Sequence, residues 1–379
     1  MTLKISKRGQ IPPFLVMEIL AQAKERAAQG DDIIHLEAGQ PASPAPITAI
    51  EIAQQTLGTH NLGYTEPLGV PELRQRVAQY YQDYHATSVA PEQVVITTGS
   101  SGGFLLSFLA CFDPGDRVGI TVPGYPAYRH ILMALGVEPV ELRITSENNF
   151  HLKTEVLADQ KLDGLILASP ANPTGAMLDD QELQTLIDYC RDQGIRFIAD
   201  EIYHGITYDQ KPQTAVAFDP ECIVINSFSK YFCMTGWRLG WMILPPALLR
   251  SVECLAQNLF VSPPTLSQYS AQKVFDCRGP LDDLVKRYQI NRDLLCAALP
   301  KLGFQYASPP DGAFYLYTDI SKISKDSVAY CERMLSEINI AATPGVDFDP
   351  IEGKHHIRFS FAGETEEIQT AIARLQAWQ

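Results

Sequence analysis

Lys230 lies in an apolar, hydroxyl-rich segment, residues 227–241, with the sequence SFSKYFCMTGWRLGW. Apolar runs at 222–226 and 239–244 bracket the lysine, and both are typical of buried strands. An ammonium group is costly in partly apolar surroundings, so the pKa of Lys230 should fall. A neutral amine is a nucleophile that can form a Schiff base with a carbonyl compound. A lone lysine is more often an exposed turn residue, so this interpretation needs support from elsewhere in the chain.

Three further polar segments also follow predicted strands. They are TGSSGG at 98–103, NPTG at 172–175 and DEIY at 200–203. In an open α/β sheet the ligand crevice lies at the carboxyl ends of the parallel strands. We therefore expect these segments and Lys230 to surround a common site.

The order and spacing of these segments resemble those of the class I/II aminotransferases, enzymes of fold type I that use pyridoxal phosphate (PLP). The resemblance covers nearly the whole chain, from Gly39 to Arg358. Its most specific part is a serine three residues before Lys230, followed by Gly-Trp-Arg-Leu-Gly-Trp at 236–241. It implies that Lys230 forms the internal aldimine with PLP and that the freed amine then transfers the α-proton.

The resemblance assigns the cofactor phosphate to four residues: Ser100, Ser101, Ser227 and Arg238. Taken alone, the Gly/Ser-rich turn at 98–103 would be a tight turn with a helix cap. It has neither the Gly-Lys-Ser/Thr of a Walker loop nor the spacing of a dinucleotide fingerprint. Amides and hydroxyls at the start of a helix are nevertheless suited to binding a phosphate.

The resemblance also implies how the cofactor ring is held. Tyr125 would stack on the ring, while Asn172 and Tyr203 would hydrogen-bond its phenolic oxygen. Asp200 would lie against the pyridine nitrogen and keep it protonated, so that the ring accepts electrons from the substrate. Together with Lys230, Asp200 and Tyr203 form the predicted catalytic set.

Three residues are predicted to bind the substrate. Alternation in HIRFSF, residues 356–361, places Arg358 on the face opposite the apolar side chains. Taken alone, Arg358 would be an exposed strand arginine. The resemblance implies that its planar guanidinium grips the substrate α-carboxylate with two hydrogen bonds, and that Gly39 and Asn172 also contact the substrate. Tyr64 resembles the tyrosine that reaches the partner subunit's phosphate, which implies a homodimer.

Apolar strands alternating with helices predict an α/β fold with a mostly parallel sheet covered on both faces. We expect a three-layer α/β/α large domain that binds PLP at residues 45–280. A smaller α+β domain would combine residues 1–44 with 281–379.

Composition excludes several other classes. The net charge of −14 disfavours a nucleic-acid partner. Eight scattered cysteines form no Cys-x-x-Cys pair, and there is no His-Glu-x-x-His, so no metal site is expected. We find neither a signal peptide nor a membrane-length apolar run, and we expect a cytoplasmic enzyme with reduced thiols.

The predicted activity is transfer of an α-amino group from an L-amino acid to a 2-oxo acid with ping-pong kinetics. Aspartate-specific relatives carry cations at positions that align with Ser101 and Gln257. This difference favours neutral, aromatic or sulfur-containing donors, with 2-oxoglutarate as a possible acceptor. Carbon–sulfur lyases and cyclising synthases share the same fold and cofactor residues and remain an alternative. A non-catalytic ligand sensor is a third, less favoured one.

Overall fold

The computed structural model describes residues 3–307 and 309–378. Its strands are β1 (Ile34–His35), β2 (Val94–Thr97), β3 (Arg117–Val122), β4 (Glu138–Arg143), β5 (Gly164–Ala168), β6 (Arg196–Asp200), β7 (Ile223–Ser227), β8 (Gly240–Ile243), β9 (Tyr315–Asp319), β10 (Ile340–Ala341), β11 (Thr343–Pro344) and β12 (His356–Ser360).

Its helices are α1 (Leu15–Ala28), α2 (Ile47–Thr59), α3 (Pro71–His85), α4 (Gly99–Cys111), α5 (Pro126–Leu135), α6 (Asp180–Gln193), α7 (Pro246–Leu259), α8 (Thr265–Ala271), α9 (Arg278–Ala298), α10 (Ser327–Ile338) and α11 (Thr365–Trp378). The sequence offers Asp179 or Asp180 as the cap of α6, and the structure shows Asp179: its carboxylate accepts from the amide of Glu182 at 2.8 Å.

A seven-stranded sheet organises the fold, in the order β2-β8-β7-β6-β5-β3-β4. Strand β8 is antiparallel to both neighbours, and the other pairs are parallel. This is the mostly parallel α/β sheet that the alternating pattern predicts. Because β2, β3, β5, β6 and β7 run in the same direction, the segments that follow them meet at one edge.

Burial on both faces explains why these strands are so apolar. All residues of β2, β7 and β8 are buried. One apolar cluster includes Val224 and Trp241, and a second, separate cluster includes Ile198, Ile225 and Met242. Neighbouring residues Val224 and Ile225 thus enter different clusters, as the two-residue period of a strand requires.

Two small sheets complete the molecule. Strand β12 pairs antiparallel with β11 and β9, and β1 pairs parallel with β10, so the N-terminal stretch lies against the C-terminal region. The proposed division into residues 45–280 and 1–44 with 281–379 stays a prediction, and residues 1, 2, 308 and 379 lie outside the described part.

Candidate active site

A cavity of about 470 Å³ opens at the carboxyl edge of the large sheet. Ten of the twelve residues predicted for the site line it. They are Gly39, Ser100, Ser101, Tyr125, Asn172, Asp200, Tyr203, Lys230, Arg238 and Arg358. They come from seven separate stretches of chain.

Lys230 lies in the wall of this cavity, and its amine donates to the carbonyl of Gly39. Burial lowers the pKa of Lys230 to about 8. The positive charges of Arg358 and Arg238 lower it as well, whereas Asp200 opposes them. About one tenth of the amine is therefore neutral at pH 7, far more than for an exposed lysine.

Asp200 ends strand β6 and is 4% exposed. Burial raises the pKa of its carboxyl group to about 6. Three neighbours partly offset this rise in pKa: the Tyr128 hydroxyl, the Ile202 amide and the charge on Lys230. Tyr128 and Ile202 both donate to the carboxylate, the Ile202 amide at 3.0 Å. The site therefore holds a buried, mostly ionised carboxylate near neutral pH.

Arg358 lies in the central strand of its small sheet and is only 2% exposed. Its Nη1 donates to Asn172 Oδ1 at 2.9 Å, and its Nη2 donates to the carbonyl of Glu37. The guanidinium lies 4.3 Å from the ring centroid of Tyr315. Its Nε is buried and makes no hydrogen bond with any described residue, which leaves a donor for an anion.

The part of the cavity near Arg238 is suited to a phosphate. Helix α4 begins at Gly99, so Ser100 and Ser101 lie in its first turn. The Arg238 guanidinium packs close to this turn: a Cβ atom on Gly99 would lie 2.6 Å from Arg238 Nη2. Free amides, hydroxyls and a guanidinium converge here, which favours an anion.

Two tyrosines in the cavity wall contact each other. The hydroxyls of Tyr203 and Tyr315 are 2.8 Å apart. The hydroxyl of Tyr315 also packs on Gly39, where a Cβ atom would lie 1.9 Å away. Position 39 therefore requires glycine because of this close approach, a reason different from the predicted carboxylate contact.

Ser227 lies elsewhere than expected, whereas Tyr64 and Gln257 lie outside the cavity of their own chain. The Ser227 hydroxyl is buried outside the cavity wall, donates to the carbonyl of Leu239 at 3.0 Å and lies 2.9 Å from Ser229 Oγ. Ser229 lines the cavity instead. Tyr64 is 86% exposed and does not line the cavity of its own chain. Gln257 is exposed on α7, also outside this wall.

The cavity also has an apolar wall that no sequence motif indicates. It comes from α1 and the residue before it: Phe14, Val16, Met17 and Leu20. The N-cap position Phe14 offers no side-chain cap, and the Asp347 carboxylate accepts from the amides of Leu15 and Val16 at 3.1 and 3.4 Å. Helical periodicity identified this helix, but no local signal indicated which site it faces.

The profile of the family Aminotransferase class I and II matches residues 31–375. The chain belongs to this family. It is 44% identical to a valine–pyruvate aminotransferase of Mycobacterium tuberculosis, over 100% of this chain and 99% of that protein. The chain is thus an aminotransferase.

Solved structures agree with this assignment. The crystal structure of an aminotransferase from Mycobacterium tuberculosis has a TM-score of 0.96 at 44% identity and covers 100% of this chain and 99% of that one. Aspartate aminotransferase from Thermus thermophilus with maleate has a TM-score of 0.94 at 29% identity and covers 100% of both chains. Among the described residues, no helix is long and apolar enough to cross a membrane.

Proposed function

We propose that this aminotransferase uses PLP, bound through Lys230, and transfers the amino group of a neutral, apolar L-amino acid to a 2-oxo acid with ping-pong kinetics. The observation that carries the proposal is the cavity itself. It brings Lys230, Asp200 and Arg358 together with the apolar wall of α1.

The residues of the cavity fit PLP. Asp200 offers a buried carboxylate for the ring nitrogen, and the first turn of α4 with Arg238 offers donors for the phosphate. Ser229, which lines the cavity, is a better candidate for the phosphate than Ser227. When bound, PLP supplies a carbonyl for the amine and a ring that accepts electrons from the substrate.

The chain's own side chains then orient the substrate and move the proton. Arg358 binds the α-carboxylate through two parallel hydrogen bonds, which orients the bond from the α-carbon to its hydrogen. Lys230, whose pKa of about 8 leaves part of the amine neutral, accepts and returns the α-proton. Asp200 stabilises positive charge at the far end of the ring.

An apolar donor is supported by the cations that the cavity contains. Among its described lining residues the only cations are Lys230, Arg238 and Arg358, and each already has a proposed role. No further cation faces a distal carboxylate within one chain, while α1 contributes an apolar surface. The valine named for the Mycobacterium tuberculosis relative has the required chemistry, and pyruvate is a reasonable acceptor.

The visible absorption spectrum of the PLP-loaded enzyme tests the proposal. Single amino acids are added without any 2-oxo acid. We expect valine to convert the cofactor to its amino form much faster than aspartate, and pyruvate to restore the original spectrum.

Three results would contradict parts of the proposal. Aspartate reacting fastest would refute the apolar donor. Ammonia and pyruvate released from cystathionine without an acceptor would favour the carbon–sulfur lyase alternative. An unchanged spectrum with every amino acid would favour a ligand sensor. Lys230→Ala is the negative control.

A further inference from the structure

A second polar cluster lies inside the protein, away from the active-site cavity. His85 ends helix α3, while Glu201 and His204 follow strand β6. Their exposed fractions are 4%, 2% and 4%. One ligand atom from each residue can be chosen so that all three lie within 4.8 Å of one another. No lining residue of the cavity belongs to this cluster.

Glu201 points away from the cavity. Its amide continues the β6 ladder by donating to the carbonyl of Ile225 at 2.8 Å. Successive side chains of a strand point to opposite faces, so Glu201 lies on the face opposite Asp200. A ligand held by this cluster would therefore support the end of the strand that carries Asp200 without entering the cavity.

His204 is held in a form suited to ligation. Its Nε2 lies 3.1 Å from the carbonyl of Ser169, which can accept only if this nitrogen carries the proton. Its Nδ1 then has a free lone pair directed at the cluster, and it makes no hydrogen bond with a described residue. Metal-binding histidines commonly donate their other ring N–H to a backbone carbonyl in this way.

Glu201 presents a second acceptor to the same point. Its Oε1 accepts from the Thr214 hydroxyl at 2.9 Å and from the Ala215 amide at 2.8 Å. Its Oε2 makes no hydrogen bond of ordinary geometry within the described chain and lies 3.4 Å from His204 Nδ1. Two acceptors facing each other in a buried site need a shared proton or a shared metal cation between them.

His85 supplies a third ligand. Neither ring nitrogen makes a hydrogen bond of ordinary length and angle with a described residue. Both nitrogens are buried, and a neutral imidazole leaves one of them without a proton, so that nitrogen can bind a metal ion.

The geometry points to a divalent transition-metal ion, zinc in the first instance, bound by His85, Glu201 and His204. Ligands about 2.05 Å from a tetrahedral zinc ion are about 3.3 Å apart. The 3.4 Å between His204 Nδ1 and Glu201 Oε2 matches this edge. Two imidazoles and one carboxylate suit zinc and disfavour magnesium or calcium, which prefer oxygen ligands. No sequence motif marks the site because His85 is distant in sequence from Glu201 and His204.

Metal analysis of the full-length, tag-free, PLP-loaded enzyme tests the proposal without relying on activity. Protein produced with added zinc chloride is dialysed and its zinc content measured. We expect about one zinc per chain in the wild type and in the matched control His130→Gln, and less than about one tenth in His85→Gln and His204→Gln. Equal zinc in all four proteins, or none in the wild type, would overturn the site.

A second measurement needs only the wild type, in case the variants do not fold. X-ray absorption at the zinc edge should give nitrogen and oxygen ligands at about 2.0–2.1 Å, and sulfur ligands would refute the site because the cluster contains no cysteine. For metal-depleted enzyme, free zinc at about 100 times its Kd should raise the Tm by about 3 °C. Magnesium should not raise it, and an equal effect of both ions would also overturn the assignment.

Discussion

At the scale of single residues, the site depends on groups whose properties are set by burial. Lys230 is a weaker base than an exposed lysine, and Asp200 is a weaker acid than an exposed aspartate. Burial disfavours the charged form in both cases. Tyr128 limits this effect at Asp200 by donating to its carboxylate. The chain thus keeps an amine that is partly neutral near a carboxylate that is mostly ionised.

Arg358→Lys should lower kcat/KM for the amino acid and for the oxo acid by about 10- to 100-fold. The change removes one hydrogen bond of a bidentate pair with a charged group, which contributes about 1.5–3 kcal/mol. Steady-state kinetics with valine and pyruvate measure the loss. The affinity for PLP should stay constant. The control is Arg250→Lys, at an arginine that pairs with Glu253 on the surface. It should change neither kcat/KM nor the affinity for PLP. Unchanged kcat/KM would remove Arg358 from the substrate site.

Lys230→Met should stabilise the cofactor-free protein below pH 8. The folded-state pKa of Lys230, about 8, lies below its ordinary value of 10.5, so the buried ammonium destabilises the fold there. The difference amounts to at most about 3 kcal/mol. As the pH rises from 8 to 10.5, the unfolded chain binds more protons and the advantage of the variant disappears.

Urea unfolding of both proteins between pH 6 and 10.5 measures this advantage. Lys301→Met replaces an exposed lysine and serves as the control, with no stabilisation expected at any pH. A Lys230→Met protein that is no more stable than the wild type at pH 7 would show that the ammonium is well solvated in the cavity.

At the scale of elements, two helix N-termini shape the cavity. Helix α4 presents its first turn beside Arg238, and α1 presents Val16, Met17 and Leu20. The two ends differ in how they are held. The start of α4 follows directly from strand β2, whereas α1 is held by Asp347, which lies far away in the sequence. The apolar wall therefore depends on a contact with the C-terminal region.

Asp347→Asn should raise the KM for valine about 2- to 10-fold with a smaller effect on kcat. The substitution removes the charge at the N-terminus of α1, where an anion contributes about 0.3–1 kcal/mol and more when partly buried. Steady-state kinetics measure the change. Asp179→Asn is the control: Asp179 caps α6 in the way that Asp347 caps α1, but it does not line the cavity. It should lower the Tm without changing KM, and equal effects on KM would contradict the role given to Asp347.

At the scale of the whole molecule, the cavity of one chain lacks Tyr64. That side chain is 86% exposed, which is unusual for a large aromatic residue. We propose that it completes the phosphate site of a partner subunit in a homodimer. In a two-fold dimer each site would then combine Lys230 of one protomer with Tyr64 of the other.

Mixed dimers test this arrangement. Lys230→Ala and Tyr64→Ala enzymes are unfolded together and refolded as an equal mixture. Each heterodimer would contain one intact site and one doubly altered site, so random pairing should restore about one quarter of wild-type activity. Each variant refolded alone is the control. A mixture no more active than the mean of the two controls would place Tyr64 outside the partner's site.

The amino-acid sequence by itself determined the sheet and the position of the site. Apolar runs of strand length, helix caps and polar segments after strands are local signals, and they predicted the edge at which Lys230, Asp200 and Asn172 meet. The resemblance then identified Arg358 and Arg238. These features depend on short-range patterns and on spacing, so they can be recognised without knowing the packing.

Only the tertiary structure decided which groups touch. Tyr128 and Asp200 are 72 residues apart, and Asp347 and Leu15 are 332 apart. Ser229 rather than Ser227 lines the cavity, and the Ser227 hydroxyl donates instead to the carbonyl of Leu239. The cluster of His85, Glu201 and His204 likewise forms only when α3 packs on the sheet. Such contacts arise from the packing of whole elements, and no local pattern encodes them.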